Sequence, residues 1–148
     1  MDQLAHWNSI AGLQFENLVY NHLDEVLNKL NINSTPLISA GPYLQKKKTR
    51  NKGGCQIDLM IICKHKTIYL CEIKFTQLIT KSIIKDVEKK ISVLENAKKY
   101  SIRPVLIYAH EIDKNSENDL RVYFDKLISF ADLVVPENFK NERNWKES

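Results

Sequence analysis

The sequence predicts a single α/β domain with a mixed central sheet, in the order helix, three strands, helix, strand. Three observations carry this reading: a long helix-periodic segment at the start, two adjacent Ile/Leu-rich runs separated by a short polar connection, and a second amphipathic segment leading to another apolar run. An antiparallel meander followed by a helical crossover to a further strand accounts for that order.

Each element has its own signal. Over residues 7–30, Ile10, Leu13, Phe15, Leu18, Val19, Leu23, Val26, Leu27 and Leu30 recur at largely helical spacing, with Asn8 or Ser9 available as N-cap. Residues 31–36, ending at Pro36, stop that helix, because proline disfavours helix at its predecessor. Residues 37–44 read as a strand, interrupted near Gly41-Pro42 and so placed at an edge or bulge, since proline donates nothing to a ladder. A basic turn follows over residues 45–54, with Lys46, Lys47, Lys48, Arg50 and Lys52 before Gly53-Gly54.

The runs 56–63 and 68–75 read as central strands joined through residues 64–67. Ile83, Ile84, Val87, Ile91, Leu94 and Ala97 then mark a helix over 81–100, with Lys89 and Lys90 on its solvated arc. Residues 103–109 form a buried strand and 111–118 a polar loop, while 120–134 suits either helix or strand. The domain extends over residues 1–136, and the polar composition of 137–148 marks a tail.

Composition narrows the function. The 148 residues carry a formal charge of +4, which suits a polyanionic partner without requiring one. Cys55, Cys63 and Cys71 form no CxxC pair and lie mostly within apolar runs, so they read as reduced and buried, as in a cytoplasmic protein. His6, His22, His65 and His110 show no zinc-ligand spacing. No apolar stretch approaches bilayer length, so no membrane association is expected. The chain shows neither a GxSxG nucleophile motif nor a GxxxxGK[ST] phosphate loop.

Chemistry concentrates in the hairpin. Asp58, Glu72 and Lys74 interrupt the two most apolar runs, where an unpaired charge costs several kcal/mol. Glu72 and Lys74 are two apart and share a strand face. Asp58 joins them if the paired residue numbers have an even sum, as with 58 opposite 74 and 60 opposite 72 around a loop at 65–67; an odd sum separates them. Two carboxylates beside a lysine suit Mg²⁺ or Mn²⁺ and a water to be activated, while a plain ion pair of Lys74 with Asp58 or Glu72 accounts for the same spacing.

The segments Gly54-Cys55-Gln56-Ile57-Asp58-Leu59-Met60-Ile61 and Leu70-Cys71-Glu72-Ile73-Lys74-Phe75 resemble motifs II and III of the PD-(D/E)xK nuclease superfamily, with fourteen residues from Asp58 to Glu72. Together with Ala11-Gly12-Leu13-Gln14-Phe15-Glu16-Asn17-Leu18, they are similar to the C-terminal nuclease-like domain of certain prokaryotic AAA-type ATPases, over residues 7–134. Ile57 stands where the motif's name has proline.

The resemblance implies a restriction-endonuclease-like αβββαβ core. It also implies Asp58 and Glu72 as ligands of Mg²⁺ or Mn²⁺, Lys74 as the group positioning the attacking water, and Glu16 as a further acidic residue of the catalytic centre; in related nucleases a residue of the second helix can face the site, an alternative to the solvated reading of Lys89 and Lys90. Its implied substrate is nucleic acid, DNA before RNA. Lys46, Lys47, Lys48, Arg50, Lys52 and Gln56 are the candidate nucleic-acid contacts, with a solvated turn as the plain alternative for the basic cluster. The alternative function is a non-catalytic binding module that keeps the fold and serves an ATPase partner.

Overall fold

The computed structural model describes residues 3–32, 36–47 and 53–134, with side chains from Ser9 onward. Its helices and strands in chain order are α1 (Gln3–Asn21), α2 (Leu23–Lys29), β1 (Leu37–Gln45), β2 (Cys55–Cys63), β3 (Thr67–Lys74), β4 (Leu78–Ile79), α3 (Ser82–Val93), β5 (Ser101–Tyr108), β6 (Glu111–Ile112), α4 (Glu117–Tyr123), β7 (Lys126–Ser129) and α5 (Phe130–Val134). The main sheet has the order β1-β2-β3-β5-β7, antiparallel through β1, β2 and β3 and parallel from β3 to β5 to β7. This is the expected α/β architecture, an αβββαβ core with a mixed sheet flanked by helices.

Alternation along the strands makes two hydrophobic layers. Leu59, Ile61, Cys71, Ile73, Val105 and Ile107 pack with Phe15, Val19, Val26 and Leu30 of the first two helices. Met60, Ile68, Leu70 and Leu106 face Ile83, Val87 and Leu94 of the α3 segment and Leu120 of α4. Both faces of the central strands are therefore dry, which is why their sequence runs are nearly continuously apolar. Among the described residues no helix is long and apolar enough to cross a membrane. The three cysteines are free, with Cys63 and Cys71 buried.

One irregularity bears directly on the site. Ile57 and Leu59 are two apart, yet Ile57 packs in the α3 layer and Leu59 in the α1 layer. The pairing with β1 explains it: Gly41 stands opposite Met60 and Tyr43 opposite Ile57, so β2 advances three residues while β1 advances two. A β-bulge at Asp58 and Leu59 absorbs the extra residue.

Several expectations need correction. The helix read over 7–30 starts at Gln3 and divides at His22, whose ψ of 30° departs from helical geometry. The helix read over 81–100 stops at Val93: Leu94 is extended, Asn96 takes a φ of 60°, and only a 3₁₀ turn, Ala97–Lys99, follows. The buried Gln45 side chain caps this break, donating to Val93 O at 2.7 Å and accepting from Glu95 N at 2.9 Å. It replaces bonds that another helical turn would have made.

The polar loop at 111–118 contains β6, which pairs in parallel with β4, and the first residues of α4. The ambiguous stretch 120–134 is part helix and part strand: the end of α4, then β7, then α5. The hairpin loop is 64–66 rather than 65–67, because Cys63 pairs with Thr67, and His65 and Lys66 both adopt left-handed φ. The tail over 137–148 lies outside the described residues.

Candidate active site

The site begins where β2 and β3 part. Their ladder runs from Cys63–Thr67 to Leu59–Cys71, so paired numbers sum to 130, an even register displaced by two from the example of 58 opposite 74. At the next position the bulge turns Asp58 out of the ladder. Its Oδ2 accepts the Ile73 N–H at 2.9 Å, so a side chain satisfies a donor on an otherwise buried strand. The Asp58 carbonyl accepts the Tyr20 hydroxyl at 2.6 Å. α1 thus fixes the backbone of the bulge, while β3 fixes its carboxylate.

Glu16 lies one helical turn before Tyr20, on the side of α1 next to the buried Phe15 and Val19. Its half-buried carboxyl hydrogen-bonds that of Asp58. Burial raises the Glu16 pKa most, and the charges of Asp58 and Glu72 raise it further, against an opposing contribution from Lys74. Tyr20 is pushed up to about 12, first by burial and then by the charges of Glu16 and Asp58.

Glu72 is only 2% exposed, and Lys90 Nζ donates to its Oε1 at 2.5 Å. Burial raises the Glu72 pKa and the charge of Asp58 adds to this, while the Lys90 hydrogen bond and the charges of Lys90 and Lys74 pull it down. Lys74 is half-buried and opens onto a cavity of about 180 Å³ shared with Thr80, Ser82 and Asp86, large enough for ordered water. A larger crevice of about 870 Å³, lined in part by Tyr108 and Ser129, contains none of Glu16, Asp58, Glu72 or Lys74.

Three separate elements therefore bring Glu16, Asp58, Glu72 and Lys74 into one electrostatic neighbourhood. The donor set has the hard oxygen chemistry that Mg²⁺ or Mn²⁺ prefers, and the charges of Asp58 and Glu72 raise the proton affinity of Glu16, a surplus of negative charge that a cation would relieve. Among the described residues, however, no three His, Cys, Asp or Glu side chains stand close enough to share one ion. Glu72 is turned to Lys90 and Asp58 to the Ile73 amide. The residues fit the cation in kind, with Glu72 paired to Lys90 in this structure.

Lys46 and Lys47 are exposed just beyond β1, whereas Lys48, Arg50 and Lys52 lie outside the described residues. Gln56 is exposed opposite Leu44, on the regular part of β2 before the bulge.

Sequence reasoning assigned Lys90 to the solvated arc, but it lies seven residues after Ile83 and three after Val87, on the stripe that faces the sheet. That spacing was the available signal. The importance of Tyr20, four residues after Glu16, had the same kind of signal. Gln45 had none, since its partners are 48 and 50 residues away.

Residues 2–91, a stretch that holds Glu16, Asp58, Glu72, Lys74 and Lys90, match DUF234, described as "Archaea bacterial proteins of unknown function". The chain belongs to the DUF234 family. Among solved structures, this DUF234 chain is similar to a protein of unknown function, AF1548, with a TM-score of 0.51 and 11% identity over 74% of this chain and 56% of that one. The structure of an EndoMS-dsDNA2 complex matches with a TM-score of 0.42 and 11% identity over 74% of this chain and 43% of the other. The DUF234 chain thus spans little more than half of the first and less than half of the second, and the likeness to AF1548 is one of fold. No curated protein matches the chain.

Proposed function

We propose that this DUF234 chain is a metal-dependent nuclease that hydrolyses phosphodiester bonds in nucleic acid, DNA in preference to RNA. The observation that supports the reading is that Asp58, at the opening between β2 and β3, hydrogen-bonds Glu16 and shares one electrostatic neighbourhood with Glu72 and Lys74. A fold has no stability reason to set the charge of Asp58 where it raises the proton affinity of both Glu16 and Glu72.

Asp58 and Glu72 would hold Mg²⁺ or Mn²⁺, with Glu16 adjoining them. The ion would polarise the phosphoryl oxygen and favour ionisation of a water. Lys74 Nζ, beside a cavity with room for solvent, holds and orients that water as a hydrogen-bond donor. Asp58 keeps its position during the reaction through the Ile73 amide and the Tyr20 hydroxyl. Lys46, Lys47, Lys48, Arg50 and Lys52, with Gln56, contact phosphates and sugars without reading sequence.

The deciding experiment is incubation of the protein with supercoiled and single-stranded DNA, and with RNA, in EDTA, Mg²⁺ or Mn²⁺. Metal-dependent cleavage that Asp58→Asn abolishes is the expected result. Binding without cleavage under every condition sinks the nuclease reading. It favours the second one, a non-catalytic nucleic-acid or protein binding module, for which the closed Glu72–Lys90 pair speaks, since it neutralises a ligand carboxylate.

A further inference from the structure

Among the lysines of α3, Lys90 is placed unlike the rest. Lys85 and Lys89 are exposed, whereas Lys90 is 26% exposed and reaches across the core layer to a glutamate on the central strand. A side-chain hydrogen bond of 2.5 Å between an ammonium and a carboxylate that is 2% exposed is strong and poorly screened by salt. It also meets a specific need. Glu72 lies within the field of Asp58, and without a counter-ion a buried carboxylate there would be costly.

We propose that Lys90 is a positioning residue that serves as the site's internal counter-ion, occupying Glu72 in the ion-free protein and yielding it to the divalent cation. This rests on the nuclease reading and adds an exchange to it. The ammonium leaves Glu72 Oε1 as the cation arrives, and no covalent bond forms or breaks. Lys90 can move in this way because its side chain is long, with its head close to the surface. The exchange keeps Glu72 neutralised in both states. It also separates the roles of the two lysines, since Lys74 lies beside the water-sized cavity while Lys90 holds the ligand.

The test is calorimetric titration of Mn²⁺ alone into the ion-free full chain, comparing wild type with Lys90→Gln, Lys90→Arg and Lys89→Gln. Lys90→Gln should bind Mn²⁺ about tenfold more tightly or better, because the ion no longer displaces a charge-assisted hydrogen bond. Lys90→Arg should stay near wild type. Lys89→Gln removes the same charge one residue away without the bond and should change affinity much less. Unfolding in EDTA should show Lys90→Gln destabilised, with Mn²⁺ raising its Tm by more than it raises that of wild type.

A measurement on the unmutated protein covers the case in which Lys90→Gln does not fold. The ¹⁵Nζ signal of Lys90 should be protected in ion-free solution and lose that protection as Mg²⁺ saturates the site. Equal or weaker Mn²⁺ affinity in Lys90→Gln, an equal gain in Lys89→Gln, or a Lys90 signal unchanged at Mg²⁺ saturation overturns the exchange and leaves the nuclease reading standing. No Mn²⁺ binding by any of the four proteins overturns both.

Discussion

Asp58 has two separable jobs, and a pair of substitutions divides them. Its Oδ2 accepts the Ile73 N–H at 2.9 Å, and Ile73 is buried, so Asp58→Ala leaves a strand amide without that acceptor. A hydrogen bond to a charged group contributes about 1.5–3 kcal/mol. Relief of repulsion with Glu16 and Glu72 offsets part of the loss, leaving a net destabilisation of about 1–2 kcal/mol in metal-free buffer. For a chain of this size that is a fall in Tm of about 2–8 °C. Asp58→Asn keeps a carbonyl oxygen for the amide and removes only the charge, so its stability should lie within about 1 kcal/mol of wild type. Both variants should lose metal-dependent cleavage, because an amide oxygen is a poor substitute for a carboxylate on a hard cation. Urea unfolding in EDTA and in Mn²⁺, run beside a plasmid-nicking assay, reads both quantities. If Asp58→Asn unfolds as readily as Asp58→Ala, the amide bond is not what Asp58 supplies to the fold. If Asp58→Asn cleaves at the wild-type rate, Asp58 does not hold the ion.

Lys74→Ala should leave Mn²⁺ binding in place while single-turnover cleavage falls about 10²-fold or more, as for other groups that handle the proton of a reacting water; loss of Mn²⁺ affinity instead would make it a structural partner of the carboxylates. Replacing Lys46, Lys47, Lys48, Arg50 and Lys52 with Gln should weaken DNA binding alike for unrelated sequences and flatten the slope of log K against log salt by about 0.9 for each phosphate that is no longer neutralised, whereas an unchanged slope would return the basic turn to solvent. Tyr20 titrates at about 12 rather than 10.0. A phenol whose folded pKa lies above its unfolded value contributes stability that is complete below the unfolded value and is lost as pH climbs through the folded one. Stability owed to Tyr20 should therefore vanish between pH 10.0 and about 12, a loss that Tyr20→Phe should not show; equal alkaline slopes in denaturant titrations of the two proteins would contradict it.

Much of this fold was legible because burial writes itself into local pattern. The strands at 56–63 and 68–75 are apolar on both sides, so they read as central strands before any partner was known, and they do form β2 and β3 with hydrophobic layers on each face. Glu72 and Lys74 share a strand with period two, which is a property of one segment alone. The parity of the hairpin stayed open in the sequence, because strands apolar on both faces suit either register; the pairing of Cys63 with Thr67 made it even.

The remaining features depend on partners far along the chain. The bulge at Asp58 is a mismatch between β1 and β2, and no window around residue 58 contains β1. The helix ending at Val93 carries apolar spacing onward through Leu94 and Ala97, yet it stops where Gln45, distant in sequence, supplies its side-chain bonds. Residues 120–134 suited two periodicities because they contain two kinds of element, and pairing of Lys126–Ser129 with β5 chose the strand within them.

The composition of the charged centre divides in the same way. Sequence alone determined that Asp58, Glu72 and Lys74 interrupt an apolar hairpin, because the expense of burying charge makes such residues conspicuous wherever they stand. Only the tertiary structure decided that Glu16 and Tyr20 of α1 meet Asp58 and that Lys90 of α3 takes Glu72. Those contacts arise from helices docking on opposite faces of one sheet. The docking is set by the two hydrophobic layers as a whole, whereas the polar contacts are set by the few residues left at their margins.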